Sequence, residues 1–389
     1  MAIQEHSRDL SITPTAKARD DGAPWVVSGA VIAYRLFDIA YAIDLPKAEA
    51  LWAHRRGTTS TRAQLSATPP KAMAFGVAPV EIVLEPVALR LAAADATAEV
   101  TARLYDFGVL TIAVRLPARQ LSWSCFVELV NATERAVGAG TGLWARLLQQ
   151  VCATFHDALI RPAASAIDED YLIATVEAFD QKLTAESLQA RVDLVPLLSG
   201  ESRMLSVGAR QDLLRQRFSY YADDLAVLTW DRAFIYEPRG DSDVADVLEV
   251  ANAQLLEMRY YDELLDDELP RMYDLIERAQ RTFGPFASWR FAKLARRLTT
   301  LVAEVIELTE KADNALQVTE DVYLARVYAA AVELFRVGTV GAAVDRKLAI
   351  IRDSYTALYH EASGARAALM EAVIVVLIAI EIVLALYRP

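Results

Sequence analysis

Two apolar rhythms divide the chain near residue 238. Before that point, "VVSGAVIAY", "VEIVLEPV", "TAEVTARLY" and "FGVLTIAVRL" are short, β-branched and partly alternating. A strand turns successive side chains to opposite faces, so these runs predict strands. Only Asp106 separates the last two, with Gly108 just after it, which predicts a hairpin or bulge. Leu225–Thr229 and Ala233–Glu237 flank "WDR" and predict a second hairpin. Helix-like spacing occupies about 46–55, 119–133, 143–160, 168–180, 184–194 and 207–218. The fold class expected for 25–238 is an α+β head domain, a mostly antiparallel sheet with helices, preceded by a flexible tail over 1–24.

After Pro238-Arg239-Gly240 the period changes. Val244, Leu248, Ala251, Leu255, Met258, Asp262, Leu265, Leu269, Met272 and Ile276 follow an alternating 4,3 spacing. Phe291, Leu294, Leu298, Leu301, Val305, Leu308, Ala312 and Ala315 repeat it. Such seams predict a long helical coiled-coil hairpin, reversed at Gly284-Pro285 within "RTFGPFAS", each arm about 40–50 Å long. Pro270 predicts a kink in the first arm, or two shorter helices. A third helix is expected from about Thr319, with a pause at Gly338–Gly341, resuming through Leu348, Ile351, Tyr355 and Leu358. This helical stalk spans 241–366 and feeds a terminal helix over 367–389.

The terminal helix decides location. From Ala372 to Leu386 only Glu381 is polar, among Ala372, Val373, Ile374, Val376, Leu377, Ile380, Val383 and Leu384. A bilayer core takes about 20 mainly apolar helical residues. Counting from Ala367 to Tyr387 reaches that length and includes Glu371 and Glu381. A carboxylate at mid-membrane costs roughly 3 kcal/mol unless protonated or paired. The expectation is a membrane anchor at the tail, leaving the head on the side where it was made. The alternative is a soluble homo-oligomer whose apolar C-terminal helices bundle into a core, since both settings demand a helix apolar all round.

Composition narrows the setting. The 389 residues carry a net charge of −12, which argues against nucleic acid as a partner, because phosphate contacts need concentrated Lys and Arg. Mean hydropathy is +0.21, high for a purely soluble chain. Cys125 and Cys152 lie in apolar helical contexts and form no framework for disulfides or zinc, which fits free thiols in a reducing compartment. The N-terminus has no apolar core of a secretory signal, and Glu5, Asp9, Asp20 and Asp21 interrupt any transit-peptide pattern. The location expected is the bacterial inner membrane with the head facing the cytoplasm.

Candidate chemistry is sparse. Asp262 occupies a seam position, where a polar residue sets register, with Arg259 a nearby partner; equally, the coil ends there and "YYDELLDDEL" is solvated. From Asp241 to Glu277 stand twelve acidic residues and two arginines, which reads first as a solvated face and second as a dock for a basic partner. Arg290, Lys293, Arg296 and Arg297 form a basic stripe, suited to pairing with that acidic arm or to anionic headgroups or RNA. "GAGTG", from Gly138 to Gly142, resembles a phosphate cradle but lacks the preceding strand and the following Lys-Ser/Thr pair, so a helix-ending turn is expected over a nucleotide site. His6, His54, His156 and His360 share no ligand spacing, and the adjacent His156 and Asp157 would not face each other on a helix. No enzyme activity, cofactor or metal is expected.

Several segments together carry a family resemblance: "VSGAVIAYRLFDIAYAIDL", "ARLYDFGVLTIAVRLPA", "LLEMRYYDELLDDELPRMYD", "LQVTEDVYLARVY" and "VDRKLAIIRDSYTALYHEASGARAALMEAVIVVLIAIEIVLAL". In these the chain resembles the YagE-type proteins of unknown function, relatives of the sporulation and "required for meiotic nuclear division" proteins. Members end in a long helix with a Glu-flanked apolar stretch, and Glu371 and Glu381 occupy the matching positions. The resemblance implies a non-enzymatic, membrane-associated protein forming higher oligomers, with mitochondrial relatives supporting translation at the inner membrane. It carries over no catalytic residue. The function expected is therefore a self-associating membrane scaffold that presents its head to protein partners.

Overall fold

The computed structural model describes residues 23–56, 61–62, 73–91, 95–163, 167–240, 243–280, 316–318 and 323–386, together with 293, 296, 299–300 and 302–307. The expected N-terminal tail and the reversal at Gly284-Pro285 lie outside the described residues. The chain forms two compact units, Met1–Ala253 with Leu316–Phe335, and Gln254–Ala315 with Arg336–Pro389.

The first unit is built on a sheet, and its elements run in chain order as follows. β1 (Trp25–Asp38), β2 (Ala40–Ile43) and α1 (Leu45–Arg56) come first, then β3 (Thr61–Arg62), β4 (Met73–Phe75), β5 (Val80–Val83) and β6 (Val87–Arg90). Next are β7 (Asp95–Leu104), β8 (Val109–Ser122), α2 (Trp123–Val137), α3 (Leu143–Phe155), β9 (Leu159–Pro162) and β10 (Asp168–Phe179). The series continues with α4 (Ala185–Arg191), α5 (Val195–Ser199), α6 (Val207–Leu213), β11 (Gln216–Phe218), β12 (Leu225–Leu228) and β13 (Arg232–Tyr236). The strand order is β11-β12-β13-β10-β1-β8-β7-β5-β3, antiparallel except where β10 meets β13. A mostly antiparallel sheet with helices is thus what the sequence pattern leads one to expect.

Alternation builds one face. On β7, Ala96, Ala98, Val100, Ala102 and Leu104 are buried, and on β8 so are Leu110, Ile112, Val114, Leu116 and Ala118. They pack with Phe126 and Val130 of α2 and with Leu147 and Phe155 of α3. Burying each large aliphatic or aromatic side chain contributes roughly 1.5–3 kcal/mol. The start of α2 is fixed by Ser122, whose hydroxyl accepts from the Cys125 amide at 3.3 Å. At the β7–β8 turn Gly108 has φ +98, and a Cβ there would stand 1.8 Å from the Ala40 carbonyl oxygen, so only glycine fits.

Four details correct the sequence pattern. Residues 168–179 form the strand β10, not a helix. Leu172, Ala174 and Val176 enter the main core while Tyr171 and Ile173 are buried on the opposite face, so both faces are covered and the alternation disappears. The run at 119–133 begins as strand through Ser122, and that at 207–218 ends as strand β11. His156 and Asp157 do meet, Nδ1 to Oδ1 at 3.4 Å, because they sit in a 3₁₀ turn, not an α-helix.

Long helices follow. α7 (Val244–Gln280) is a single helix with Pro270 inside it, so the two-helix alternative does not occur. β14 (Leu316–Val318) pairs with β4, and α8 (Tyr323–Leu334) closes the first unit. The unit division falls inside α7 after Ala253, beyond Pro238–Gly240, because the first turns of α7 bury Val244, Val247, Leu248 and Ala251 and are tied to the sheet. α9 (Val337–Leu386) runs unbroken through Gly338 and Gly341. The pause lies just before it, at Arg336, whose φ of +58 breaks the helix without a glycine.

Within the second unit α7 buries Leu255, Leu256, Met258, Tyr261, Leu265 and Met272, and α9 buries Val337, Val344, Leu348 and Ile351. Lys347 Nζ donates to Asp262 Oδ1 at 2.6 Å and lies 2.7 Å from Asp266 Oδ1. The two carboxylates hold the Lys347 pKa above its ordinary value against partial desolvation.

Candidate functional site

The candidate interaction residues separate on inspection. Asp262 is half-buried and accepts from Lys347 of α9. Arg259, Lys293 and Arg296 are exposed, while Arg290 and Arg297 lie outside the described residues. The acidic run is not uniformly solvated: Asp243, Glu249 and Glu257 are buried.

Glu249 and Asp246 reach strand β7. Arg103 Nη1 donates to Glu249 Oε2 at 2.9 Å and to Asp246 Oδ1, and its Nε donates to Glu81 Oε2 at 2.7 Å. Tyr105 donates its hydroxyl to Glu249 Oε1 at 2.9 Å. Sheet register assembles this cluster, since Arg103 stands opposite Glu81 on β5 and Thr111 on β8. Burial alone would lower the Arg103 pKa, but Glu249 and Asp246 raise it above the ordinary arginine value. Burial raises the Glu249 carboxyl, and Arg103 pulls it part of the way back. Burial also keeps Tyr34 and Tyr105 protonated, with Glu249 acting in the same direction. No local sequence pattern reveals this cluster, because its strand members and its α7 members lie far apart in the chain, Arg103 and Glu249 by 146 residues.

An open groove of about 470 Å³ lies beside α2, lined by Glu128, Asn131, Arg135, Asp193, Arg203 and Arg210 among others. Asp193 and Arg210 pair there at 3.0 Å through both carboxylate oxygens. Below it the buried Arg232 donates to Asn131 Oδ1 and the Leu197 carbonyl at 2.7 Å, and to Glu134 Oε2 at 2.5 Å. This network staples α2 and α5 to β13. "GAGTG" is a short 3₁₀ turn between α2 and α3, with Gly142 at φ +66, and so has a helix before it where a phosphate cradle needs a strand. Among the described residues no group of three or more His, Cys, Asp or Glu is arranged to hold a metal.

The end of α9 is the most unusual surface. Val373, Ile374, Val375, Val376, Leu377, Ile378, Ile380, Ile382 and Val383 are each 50–59% exposed. Successive helical residues are about 100° apart, so these side chains cover the whole circumference. Glu371 and Glu381 are the charged groups on it, about 80° apart around the axis, and both are exposed. Ala372 and Leu384 belong to the same helix. Among the described residues no single helix is long and apolar enough to cross a membrane; the apolar helical stretch here is Val373–Val383.

Residues 28–243 match a family model described as "Uncharacterized protein MJ0711, N-terminal domain", from within β1 to the residue before α7. The chain is 27% identical over 178 residues to the uncharacterized protein MJ0711 of Methanocaldococcus jannaschii, an alignment covering 46% of this chain. The match spans about half, 53%, of that curated relative. No solved structure matches the chain.

Proposed function

We propose that the chain, which belongs to the family of the MJ0711 N-terminal domain, is a non-enzymatic scaffold that associates with a membrane through the end of α9. One observation carries this: the apolar side chains of 373–383 are exposed on every side of the helix. A helix that docks on a protein in water keeps a polar face. In a closed symmetric bundle each copy likewise turns one face inward and the other to solvent. Lipid covers all faces at once, which makes it the setting that matches an all-round apolar surface. The finer architecture follows the same proposal. α7 and α9 form a coiled-coil stalk, supported by buried seam residues such as Leu255, Met258 and Leu265 and by the Lys347 clamp. Self-association through that stalk, and a head domain on the cytoplasmic side of a bacterial inner membrane, complete the proposal. The YagE-type resemblance of the C-terminal segment and the free Cys125 and Cys152 support them.

Fractionation of the full-length protein with a carbonate wash, followed by light scattering in detergent, tests the proposal. The expected result is a carbonate-resistant membrane pool that yields oligomers. A wholly soluble large particle would overturn it in favour of an assembly core made of the α9 ends.

A further inference from the structure

On the face of the sheet opposite its main core, two rows of side chains lie next to each other. Tyr34, Ala113 and Thr101 stand in register across β1, β8 and β7, and Thr111 and Arg103 stand in the adjoining row. With Glu249 of α7 these six residues line a cavity of about 40 Å³. A site needs roughly 10–15 Å³ of such space to hold one water molecule, and a water needs two to four polar partners.

The lining supplies those partners. Thr111 is 1% exposed and lines the cavity, and its Oγ1 meets no partner at full hydrogen-bond geometry, standing only close enough to the Glu249 carboxylate to lower that group's pKa. Leaving a buried hydroxyl unpaired costs about 1–3 kcal/mol, so native proteins rarely do it. Tyr34 is 7% exposed and also lines the space. Glu249 turns one carboxylate oxygen to Tyr105 and the other to Arg103, which leaves further lone pairs on both.

We propose that this cavity is a built internal hydration site, in which an ordered water joins the Thr111 hydroxyl to Tyr34 and the Glu249 carboxylate. A solvent molecule is then part of the joint between α7 and the sheet. The Arg103 guanidinium in the wall disfavours a metal cation, and Glu81, Asp246 and Glu249 around it disfavour an anion. Neutral water, able to donate and accept, suits both.

Oxygen-17 magnetic relaxation dispersion on the full-length protein counts waters with long residence times, and Thr111→Val removes the hydroxyl at nearly constant volume. The expected result is fewer long-lived waters in Thr111→Val and an unchanged number in Thr111→Ser. An equal count in wild type and Thr111→Val would overturn the proposal. So would thallium(I) raising the melting temperature of wild type but not of Thr111→Val, which would mark a cation site. If Thr111→Val failed to fold, a crystal structure of the wild type would decide the matter. Density within hydrogen-bond distance of Thr111, Tyr34 and Glu249 supports the site, and an empty cavity refutes it.

Discussion

The start of α7 and the end of α9 invert the usual rule from opposite sides. Near its N-terminus α7 buries a carboxylate, Glu249 at 2% exposed, and near its C-terminus α9 leaves isoleucine and leucine more than half uncovered. The first is tolerated because the sheet brings an arginine, a tyrosine and a cavity to one oxygen pair. The second is tolerated only if something other than water surrounds it. Helical amphipathicity therefore does not locate either surface; what does is whether each exceptional side chain has a partner of its own kind.

The sharpest way to break the contrast is to charge the apolar end. Leu377→Lys with Ile380→Lys in the full chain adds about 5–7 kcal/mol to membrane insertion. The protein is then expected in the soluble fraction after carbonate washing, and continued pelleting would refute lipid as the medium. Next in size is Arg103→Met, which leaves Glu249 buried beside Asp246 without its cation. Loss of one partner of a buried pair costs about 3–5 kcal/mol. Urea unfolding followed by far-UV circular dichroism should show that loss, and a change below about 1 kcal/mol would mean Glu249 is protonated without Arg103.

A second buried carboxyl sharpens the point. Asp38 is 3% exposed, and burial pushes its pKa up to about 7, against the Ala40 amide, which lowers it. The folded state therefore holds the proton more tightly than the unfolded chain. The stability this gives is complete below about pH 4 and is lost as pH rises through 7, by at most about 4 kcal/mol. Asp38→Asn should flatten that part of the stability–pH curve, whereas an unaltered slope would assign it to other groups. The smallest effect is expected at Lys347→Met. Its carboxylate partners are 34% and 63% exposed, so about 1 kcal/mol should disappear, and less in high salt.

Much of the sheet was legible from residue pattern. Strand β7 alternates without interruption, Gly108 marks the turn after it, and the "WDR" hairpin sits between two runs of four and five buried residues. Strand β10 was not, because "YLIATV" is covered on both faces and loses the period that separates strand from helix. The apolar end of α9 is plain in the sequence, since exposure on all sides is a property of composition alone. The Arg103 cluster could not be read, because it depends on register across β5, β7 and β8 and on where α7 lands. The one available signal was an arginine at an alternating position of a strand whose inward set is apolar. The break before α9 was misplaced for a similar reason: glycines at 338 and 341 suggested it, but the left-handed residue is Arg336.

That break has a mechanical consequence. Past Arg336 the backbone has fifty helical residues in a row and no joint. Such a rod cannot absorb torsion locally. Lys347, gripped by Asp262 and Asp266, lies 34 residues before Glu381, about 51 Å along the rod at 1.5 Å per residue. A turn imposed on α9 at Lys347 is thus carried along that length to the Glu381 carboxyl.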